Sequence, residues 1–179
     1  MFTIVGLGNP GKEYEGTRHN AGREAVLALE GVKAKLVTPD TFMNKSGDAM
    51  KTLIKGAKQA EQLVVVHDDL DLPFGSFKIS YDKSAGGHRG VESIIRAVKT
   101  QAFIRVRIGI SPFSVKTTKG KTVTVLKKPK GEAAVEKHIL GKFKPAEIAT
   151  LKKLHKKINE ALICLTTESL EIAMSKFNG

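Results

Sequence analysis

The stretch Leu63-Val-Val-Val-His-Asp-Asp-Leu-Asp71 decides the fold that the sequence predicts. Its first four residues are apolar, and a short apolar run of this kind is typical of a strand buried on both faces. Such strands lie at the centre of parallel sheets whose two faces are covered by helices. The polar residues 67–69 then lie at the carboxyl end of the strand, where α/β sheets bind their ligands.

Shorter runs of the same kind lie on both sides of this stretch and alternate with helical patterns. Strands are predicted at residues 2–5, 35–37, 78–81 and 103–110, and helices at residues 21–30, 47–59 and 91–98. This order predicts an α/β fold with a mixed, mainly parallel twisted sheet flanked by helices. Because 179 residues is the size of one domain and no linker interrupts the pattern, a single domain over residues 1–179 is expected.

The C-terminal part of the chain follows a different pattern. Residues 113–137 are rich in lysine, and two β-rich pieces around Lys119-Gly120 predict a hairpin there. Residue 145 starts a predicted helix whose inner stripe consists of aliphatic side chains, Ile148, Leu151, Leu154, Ile158 and Leu162. A last short helix is expected at residues 169–176. Cys164 falls in the helical apolar run, so its predicted role is core packing.

The composition excludes several classes of protein. Hydrophobic residues make up 41% and charged residues 27% of the chain, which are ordinary values for a folded globular protein. No apolar stretch approaches the roughly 20 residues that a membrane helix needs, so no membrane association is expected. A single cysteine cannot form an internal disulfide, which favours a reducing compartment, and the cytoplasm is the expected location.

The net charge favours a polyanionic partner. The chain has 30 lysines and arginines against 18 aspartates and glutamates, a net charge of +12. A strongly basic chain of this kind favours nucleic acid or a phosphate-rich ligand. Aromatic residues are scarce, at 6%, so contact with phosphates is a better expectation than stacking on exposed bases.

The first glycine-rich segment resembles a dinucleotide-binding turn but lacks one of its features. Val5-Gly-Leu-Gly-Asn-Pro-Gly11 contains the spacing G-x-G-x-x-G directly after a predicted strand. In dinucleotide-binding proteins the third glycine opens a helix whose N-terminus holds the pyrophosphate. Here a polar loop follows Gly11, and Pro10 removes one backbone N–H from the turn. The segment therefore favours a loop over a nicotinamide or flavin site.

Side chains that suit a ligand site, most of them polar, follow each of the first three predicted strands in the central sheet. They are Asn9, Tyr14, His19 and Asn20 after the first, Phe42, Met43 and Asn44 after the second, and His67, Asp68, Asp69 and Asp71 after the third. Carboxyl ends of parallel strands share one edge, so these groups are expected to converge. An imidazole, a carboxylate and amide groups suit a hydrolase that activates water, because together they accept a proton, stabilise the imidazolium and hold an oxyanion.

A metal site is the second interpretation of the same residues. His67-Asp68-Asp69-Leu70-Asp71 together with His88 offers imidazole and carboxylate ligands that suit several divalent ions. Successive strand residues point to opposite faces, however, so His67 and Asp68 do not readily bind one ion within a strand.

Several motifs, in order along nearly the whole chain, resemble those of bacterial-type peptidyl-tRNA hydrolase. They are Val5-Gly-Leu-Gly-Asn-Pro-Gly11, Thr17-Arg-His-Asn-Ala-Gly22, Thr41-Phe-Met-Asn-Lys-Ser-Gly47, His67-Asp-Asp-Leu-Asp-Leu-Pro73, Gly86-Gly-His-Arg-Gly90, Arg105-Val-Arg-Ile-Gly-Ile110 and Leu140-Gly-Lys-Phe143. The resemblance implies hydrolysis of the ester that joins a peptide to the 3′ ribose of tRNA, without a metal or organic cofactor. It also implies a monomer whose partner is the acceptor end of tRNA.

The resemblance assigns roles to individual positions. His19 matches the general base of the family, Asp68 the carboxylate that supports it, and Asn9 the residue that distinguishes blocked from free aminoacyl-tRNA. The other matched positions are implied to bind the substrate or tRNA phosphates: Tyr14, Asn20, Phe42, Met43, Asn44, Lys78, His88, Arg89 and Arg107.

Three features depart from the family pattern. Arg89 stands where the family has asparagine; its guanidinium can bind a phosphate but cannot accept a hydrogen bond. The chain before Thr41 is short and lacks one expected strand, whereas residues 113–137 are expanded and rich in lysine. These departures keep open a second hypothesis, an RNA-binding relative that has this fold and has lost hydrolysis.

Overall fold

A five-stranded sheet forms the centre of the computed structural model, which describes residues 1–118 and 120–179. The strand order is β2 (Lys35–Val37), β1 (Thr3–Gly6), β3 (Leu63–Pro73), β5 (Ile104–Ser111) and β4 (Phe77–Tyr81). The pairs β2–β1, β1–β3 and β3–β5 are parallel, and β4 is antiparallel to β5. This mixed, mainly parallel sheet confirms the predicted fold class.

Helices cover both faces of the sheet. In chain order they are α1 (Ala21–Leu27), α2 (Ser46–Leu53), α3 (Ala57–Ala60), α4 (Arg89–Val98), α5 (Glu132–Ile139), α6 (Pro145–Thr167) and α7 (Leu170–Phe177). Val64 and Val66 face a core cluster shared with α1, α6 and α7, whereas Leu63 and Val65 face one shared with α2 and α4. The alternation explains why the run 63–66 is apolar throughout, since each residue enters one of two cores.

The long helix α6 supplies most of one core layer. Leu151, Leu154, Ile158 and Leu162 are buried as predicted, and the thiol of Cys164 is buried with them. Ile148 was expected in the same stripe but is 39% exposed, because it lies in the first turn of the helix, beyond the edge of the core. Among the described residues, no helix is both long and apolar enough to span a membrane.

Two predicted element boundaries are wrong for local reasons. The single helix predicted at residues 47–59 is broken at Ile54, which takes an extended conformation and turns its side chain into the core, 7% exposed. Asp71-Leu-Pro-Phe-Gly75 has the composition that predicts a turn, but the turn begins later, because β3 continues to Pro73, which pairs with Ser111 of β5. The chain then reverses at Gly75, whose φ of +84° suits glycine.

A basic hairpin extends the C-terminal half beyond the sheet. Its strands are β6 (Phe113–Thr118) and β7 (Lys121–Leu126), which pair with each other in a separate two-stranded sheet. This confirms the two predicted strands, and Lys119 of the predicted turn lies outside the described residues. Helix α5, which follows the hairpin, was not predicted.

The topology creates a crevice between β1 and β3. The chain leaves β1 toward β2 on one side, whereas β3 and β5 lie on the other, so the connections that follow β1 and β3 diverge. Ligand sites of open α/β sheets form at such a point, outside the carboxyl ends of the strands.

Candidate active site

A cavity of about 810 Å³ opens at the carboxyl ends of β1 and β3. It brings together most of the site residues that the sequence predicted: Asn9, Tyr14, His19, Phe42, Met43, Asn44, His67, Asp68, His88, Arg89 and Arg107. Asn20 and Lys78 do not line it. The predicted convergence of strand-end residues is thus observed for these groups.

Asp68 is the centre of the polar cluster on the cavity floor. Both of its carboxylate oxygens lie 3.0 Å from Nδ1 of His19, and Oδ1 also lies 2.9 Å from Nε2 of His88. Asp68 is 3% and His19 8% exposed, so the contacts are shielded from bulk water. An ionised carboxylate only accepts hydrogen bonds, so both imidazoles donate an N–H to it. His19 therefore carries its lone pair on Nε2.

Asp68 and His19 shift each other's pKa in opposite directions. Burial alone would raise the pKa of Asp68, but the charges of His19 and His88 and their hydrogen bonds lower it below its usual range. Burial alone would lower the pKa of His19, but the charge of Asp68 and the hydrogen bond to it raise the pKa above the ordinary 6.5. The carboxylate thus favours the protonated form of His19.

Local packing fixes the position of His19. The residue lies in a one-turn helix, Arg18–Asn20, that leads directly into α1. Three residues later, Gly22 lets α1 lie against β3: a Cβ there would be 2.1 Å from the carbonyl oxygen of Val66. Asp68 lies on the same face of β3 as Val66, two residues further on, because side chains alternate along a strand. The close contact therefore sets the distance between the two partners.

His88 is held in one tautomer by the start of α4. Its Nδ1 accepts a hydrogen bond from the backbone N–H of Val91 at 3.3 Å, which caps the helix. Its Nε2 must then carry the proton that it donates to Asp68. On the opposite strand face, His67 donates from Nδ1 to the backbone oxygen of Asp68 at 2.7 Å, and burial lowers the pKa of His67 well below 6.5. His67 is thus a neutral wall of the cavity.

Asn9 presents one kind of hydrogen-bonding group to the cavity. Its side-chain oxygen accepts from the backbone N–H of Met43 at 2.8 Å, so its amide NH₂ is left as a donor. The buried side chain of Asn20 lies behind Asn9 and makes two hydrogen bonds to the backbone of Asn9. Its Oδ1 accepts from the N–H of Asn9 at 2.8 Å, and its Nδ2 donates to the carbonyl of Asn9 at 2.9 Å. Asn20 is thus placed to orient Asn9 and not to contact a ligand in the cavity.

The glycine-rich loop around Asn9 does not form a dinucleotide turn. Gly11 has a φ of +107° and is followed by a single 3₁₀ turn, Lys12–Tyr14, where a phosphate-binding helix would have to begin. This confirms the argument made from the sequence.

Two aromatic side chains border the cavity beside this loop. Tyr14 and Phe42 meet edge to face with ring centroids 6.2 Å apart, and Phe42 is 55% exposed. Met43 next to them is buried, while Asn44 is exposed at the cavity wall. An exposed aromatic ring beside polar groups suits a planar ring or an apolar side chain of a substrate.

Basic residues occupy the opposite side. Arg107 donates from Nε to Asp69 at 2.7 Å, and Lys78 lies opposite Arg107 in the β4–β5 register, on the strand surface outside the cavity. The sequence analysis missed Arg105, which lines the cavity, is 2% exposed and donates to the carbonyl of Ser84 at 2.8 Å. A charged residue within the largely apolar strand predicted at residues 103–110 could have marked Arg105 as a candidate site residue.

Helix α5 forms a cavity wall that the sequence analysis also missed. Glu132, Val135, Glu136 and Ile139 line the cavity, and Glu132 accepts a hydrogen bond from Arg89 at 3.1 Å. In this helix, residues of the first turn and the last turn therefore contribute to the site. Its short length and weak apolar periodicity explain why pattern analysis did not find it.

Asp68 and the two imidazoles that contact it also have the composition of a metal site. Ligand atoms of His19, Asp68 and His88 all lie within 4.8 Å of one another. The contacts at 2.9 and 3.0 Å are hydrogen-bond distances with a proton on each imidazole nitrogen, whereas a metal requires those nitrogens to be deprotonated. The arrangement fits a hydrogen-bonded acid–base cluster better than a metal centre.

Comparison with known proteins gives a consistent result. The sequence profile of the family "Peptidyl-tRNA hydrolase" matches residues 3–31 and 25–179. Peptidyl-tRNA hydrolase of Synechococcus sp. is 36% identical over 199 residues, covering 98% of this chain and 81% of that protein. The enzyme of Aquifex aeolicus is 39% identical over 198 residues, covering 98% and 95%.

Structural comparison agrees with the sequence matches. The crystal structure of peptidyl-tRNA hydrolase from Acinetobacter baumannii superposes with a TM-score of 0.81 and 27% identity, covering 100% of this chain and 95% of that one. The two parts of the profile match overlap at residues 25–31, just before β2. With a match over almost its whole length, this chain belongs to the peptidyl-tRNA hydrolase family.

Proposed function

We propose that this protein hydrolyses the ester bond between a peptide, or an N-blocked amino acid, and the 3′ ribose of tRNA, and so recycles tRNA from prematurely released peptidyl-tRNA. The observation that carries the proposal is the buried pair of His19 and Asp68 on the floor of the cavity, 3.0 Å apart. Membership of the family supports the substrate class. Asn9, beside the pair, supplies a hydrogen-bond donor.

In the proposed reaction His19 is the general base. Its Nε2 takes a proton from a water molecule, and the water oxygen attacks the ester carbonyl carbon to form a tetrahedral oxyanion. The bond to the ribose 3′ oxygen then breaks, and that oxygen leaves with the proton returned by the imidazolium. Asp68 stabilises the imidazolium between the two steps, and the products are a free carboxyl group and the 3′ hydroxyl of tRNA.

Asn9 and its neighbours select the acyl group. The side-chain oxygen of Asn9 accepts a hydrogen bond from the backbone N–H of Met43, so only the side-chain NH₂ is available to the substrate. This donor complements the carbonyl oxygen of a peptide bond. A free α-ammonium group offers no acceptor for that donor. Asn44 or a nearby backbone N–H stabilises the oxyanion. Tyr14, Phe42 and Met43 contact the 3′-terminal nucleotide or the first side chain of the peptide.

Basic side chains at the other end of the cavity bind phosphates. Arg89 is 70% exposed and its partner Glu132 84% exposed, so a phosphate can displace this ion pair at little cost. Arg107 and the neighbouring Lys78 extend the positive surface along β4 and β5. The net charge of +12 favours rapid association with tRNA.

The alternative of an RNA-binding relative without hydrolysis has less support. Binding of RNA does not require a carboxylate buried against two imidazoles, whereas buried groups with strongly shifted pKa values in a cavity are typical of catalytic sites. The substitution at Arg89 alters the cavity rim and leaves the His19–Asp68 pair intact.

The test is release of N-acetyl-aminoacyl groups from labelled tRNA in the presence of EDTA, with unblocked aminoacyl-tRNA as the control substrate. We expect turnover of the blocked substrate in EDTA and little turnover of the unblocked one. Asn9→Ala should reduce this preference for the blocked substrate. Activity that disappears in EDTA and returns with a divalent ion would support the metal interpretation instead, and tight tRNA binding without turnover would support the binding-only alternative.

We infer a monomer from the family resemblance, and the groups proposed for the reaction all come from one chain, so the site needs no second copy. Analytical ultracentrifugation should give a single species near the chain mass of 19.4 kDa.

A further inference from the structure

The hairpin β6–β7 is the part of the molecule that the reaction leaves unexplained. Both of its strands are exposed along most of their length, although a two-stranded ribbon is marginally stable alone. Val115, Val123 and Val125 are 57%, 51% and 37% exposed. A ribbon that exposes β-branched side chains on both faces is suited to contact with a partner.

The charge of the hairpin indicates the kind of partner. Residues 113–130 contain six lysines and no aspartate or glutamate. Single-sign charge at this density attracts a polyanion and repels basic surfaces. It also opposes edge-to-edge pairing with another strand, because lysines on an exposed edge disfavour β-sheet extension. The hairpin therefore suits nucleic acid better than a protein strand.

The register places two lysines on one face. Lys116 lies opposite Val123, and Lys121 lies opposite Thr118. Cross-strand partners share a face, and residues two apart on a strand share it as well, so Lys116 and Lys121 project from the same side. A strand of six residues is about 20 Å long, enough to span several phosphates of one nucleic-acid strand.

The base of the hairpin lies at the rim of the cavity. The backbone N–H of Lys127 donates to the carbonyl of Pro112 at 2.7 Å, which closes the two ends of the hairpin. Next to it, Lys128 forms an ion pair with Asp71, which lines the cavity. Four residues further on, Glu132 begins the helix that forms a cavity wall. A ligand with one end in the cavity thus passes beside the hairpin.

We propose that the hairpin is a binding arm for the base-paired acceptor stem of tRNA, with Lys116 and Lys121 on its phosphates, while the 3′ end occupies the cavity. The proposal rests on the proposed function for the position of the 3′ end. A duplex is favoured over a single strand because the ribbon offers lysines and a lone aromatic residue, Phe113, where single-strand sites need stacking platforms. Duplex RNA is recognised largely through its shape and backbone.

The test compares three variants with the wild type. Lys116→Gln/Lys121→Gln removes the two charges and keeps the ribbon. A second variant replaces residues 113–126 by an Asn-Gly turn, which the contact between Pro112 and Lys127 allows. Lys152→Gln/Lys156→Gln on the outer surface of α6 is the control with the same change in charge.

Two readouts separate this proposal from the proposed function. The first is the affinity for deacylated tRNA across a salt series, which does not depend on hydrolysis. The second is kcat/KM for N-acetyl-aminoacyl-tRNA and for an N-acetyl-aminoacyl CCA fragment without the stem. If the wild type hydrolyses neither the tRNA substrate nor the fragment, the proposed function fails, and the affinity series still decides the hairpin.

Loss of the two lysines should weaken tRNA affinity at least about tenfold at 0.1 M salt and reduce the log–log salt slope by about 1.4 to 1.8. For the tRNA substrate, kcat/KM should fall through a higher KM, with kcat unchanged. For the fragment without the stem, kcat/KM should not change. Excision of the hairpin should weaken tRNA affinity at least as much as loss of the two lysines. Equal losses in the α6 control would show a general charge effect and overturn the proposal. An unchanged tRNA affinity and an unchanged salt slope after excision of the hairpin would also overturn the proposal. The exposed ribbon would then be assigned to a protein partner.

Discussion

At the scale of single residues, the chemistry depends on how one carboxylate is shared. Asp68 accepts hydrogen bonds from His19 and His88, and the two imidazoles have different surroundings. The second nitrogen of His88 is used to cap α4, whereas His19 keeps its Nε2 lone pair for the cavity. Of the two imidazoles that contact Asp68, only His19 can therefore act as a base without breaking a hydrogen bond of the fold.

Replacement of the carboxylate should change both the rate and its pH dependence. The raised pKa of His19 places the acid limb of kcat/KM above pH 6.5 in the wild type, because the imidazolium that forms below this pKa cannot accept a proton. In Asp68→Asn the stabilising charge is lost and burial lowers the pKa of His19, so the limb moves to lower pH. We expect kcat/KM at its plateau to fall roughly 10²- to 10⁴-fold. A pH–rate profile of both proteins checks this, and a limb that stays in place would contradict the assigned pair.

The ion pair between Arg89 and Glu132 should regulate phosphate binding without contributing to stability. Both side chains are mostly exposed, so Glu132→Gln should change the free energy of unfolding by less than about 1 kcal/mol. The freed guanidinium should lower KM for the tRNA substrate, and Arg89→Asn should raise it. Steady-state kinetics of the two single variants and the double variant measure the coupling between Arg89 and Glu132 in substrate binding. Identical KM values in all three would show that Arg89 does not touch the substrate.

At the scale of elements, the contact of α1 with β3 transmits packing to the site. Gly22→Ala puts a Cβ 2.1 Å from the carbonyl oxygen of Val66, so the helix must move away from the strand. We expect a loss of about 1 to 3 kcal/mol in the free energy of unfolding and a lower kcat, because His19 moves with the helix. Gly56→Ala is the control, since its φ of −172° suits any residue and its Cβ would meet open space. Denaturant titrations of both variants measure the two free energies of unfolding. Equal values for Gly22→Ala and Gly56→Ala would contradict the close contact between α1 and β3.

The elements also show what the sequence can predict and why the rest escapes it. Strand β3 was evident because four successive apolar residues enter two cores, and its polar end marked the site. Helix α5 has no buried residue, so it left no apolar pattern to detect. The break at Ile54 depends on a tertiary contact that overrides helical propensity. Likewise, nothing local separates Asn20 from Asn9, and only the fold shows that the former supports the latter.

At the scale of the whole molecule, charge and topology act together. The crevice between β1 and β3 holds the candidate active site, and a net charge of +12 favours the approach of a polyanion to it. Affinity for tRNA should therefore fall steeply with salt, with a log–log slope of about 0.7 to 0.9 for each phosphate neutralised. Fluorescence titrations between low and moderate salt measure the slope. A flat response would contradict phosphate contact as the source of affinity.

The most direct test of the account is the rate of ester cleavage by His19→Ala. In single-turnover reactions with N-acetyl-aminoacyl-tRNA in EDTA, the wild type should release the acyl group, and His19→Ala should lose at least about 10²-fold in rate while it binds tRNA as tightly. His155→Ala, which removes an imidazole from α6 away from the cavity, controls for loss of a partly buried histidine. A His19→Ala protein that cleaves at the wild-type rate would contradict the assignment of His19 as the base.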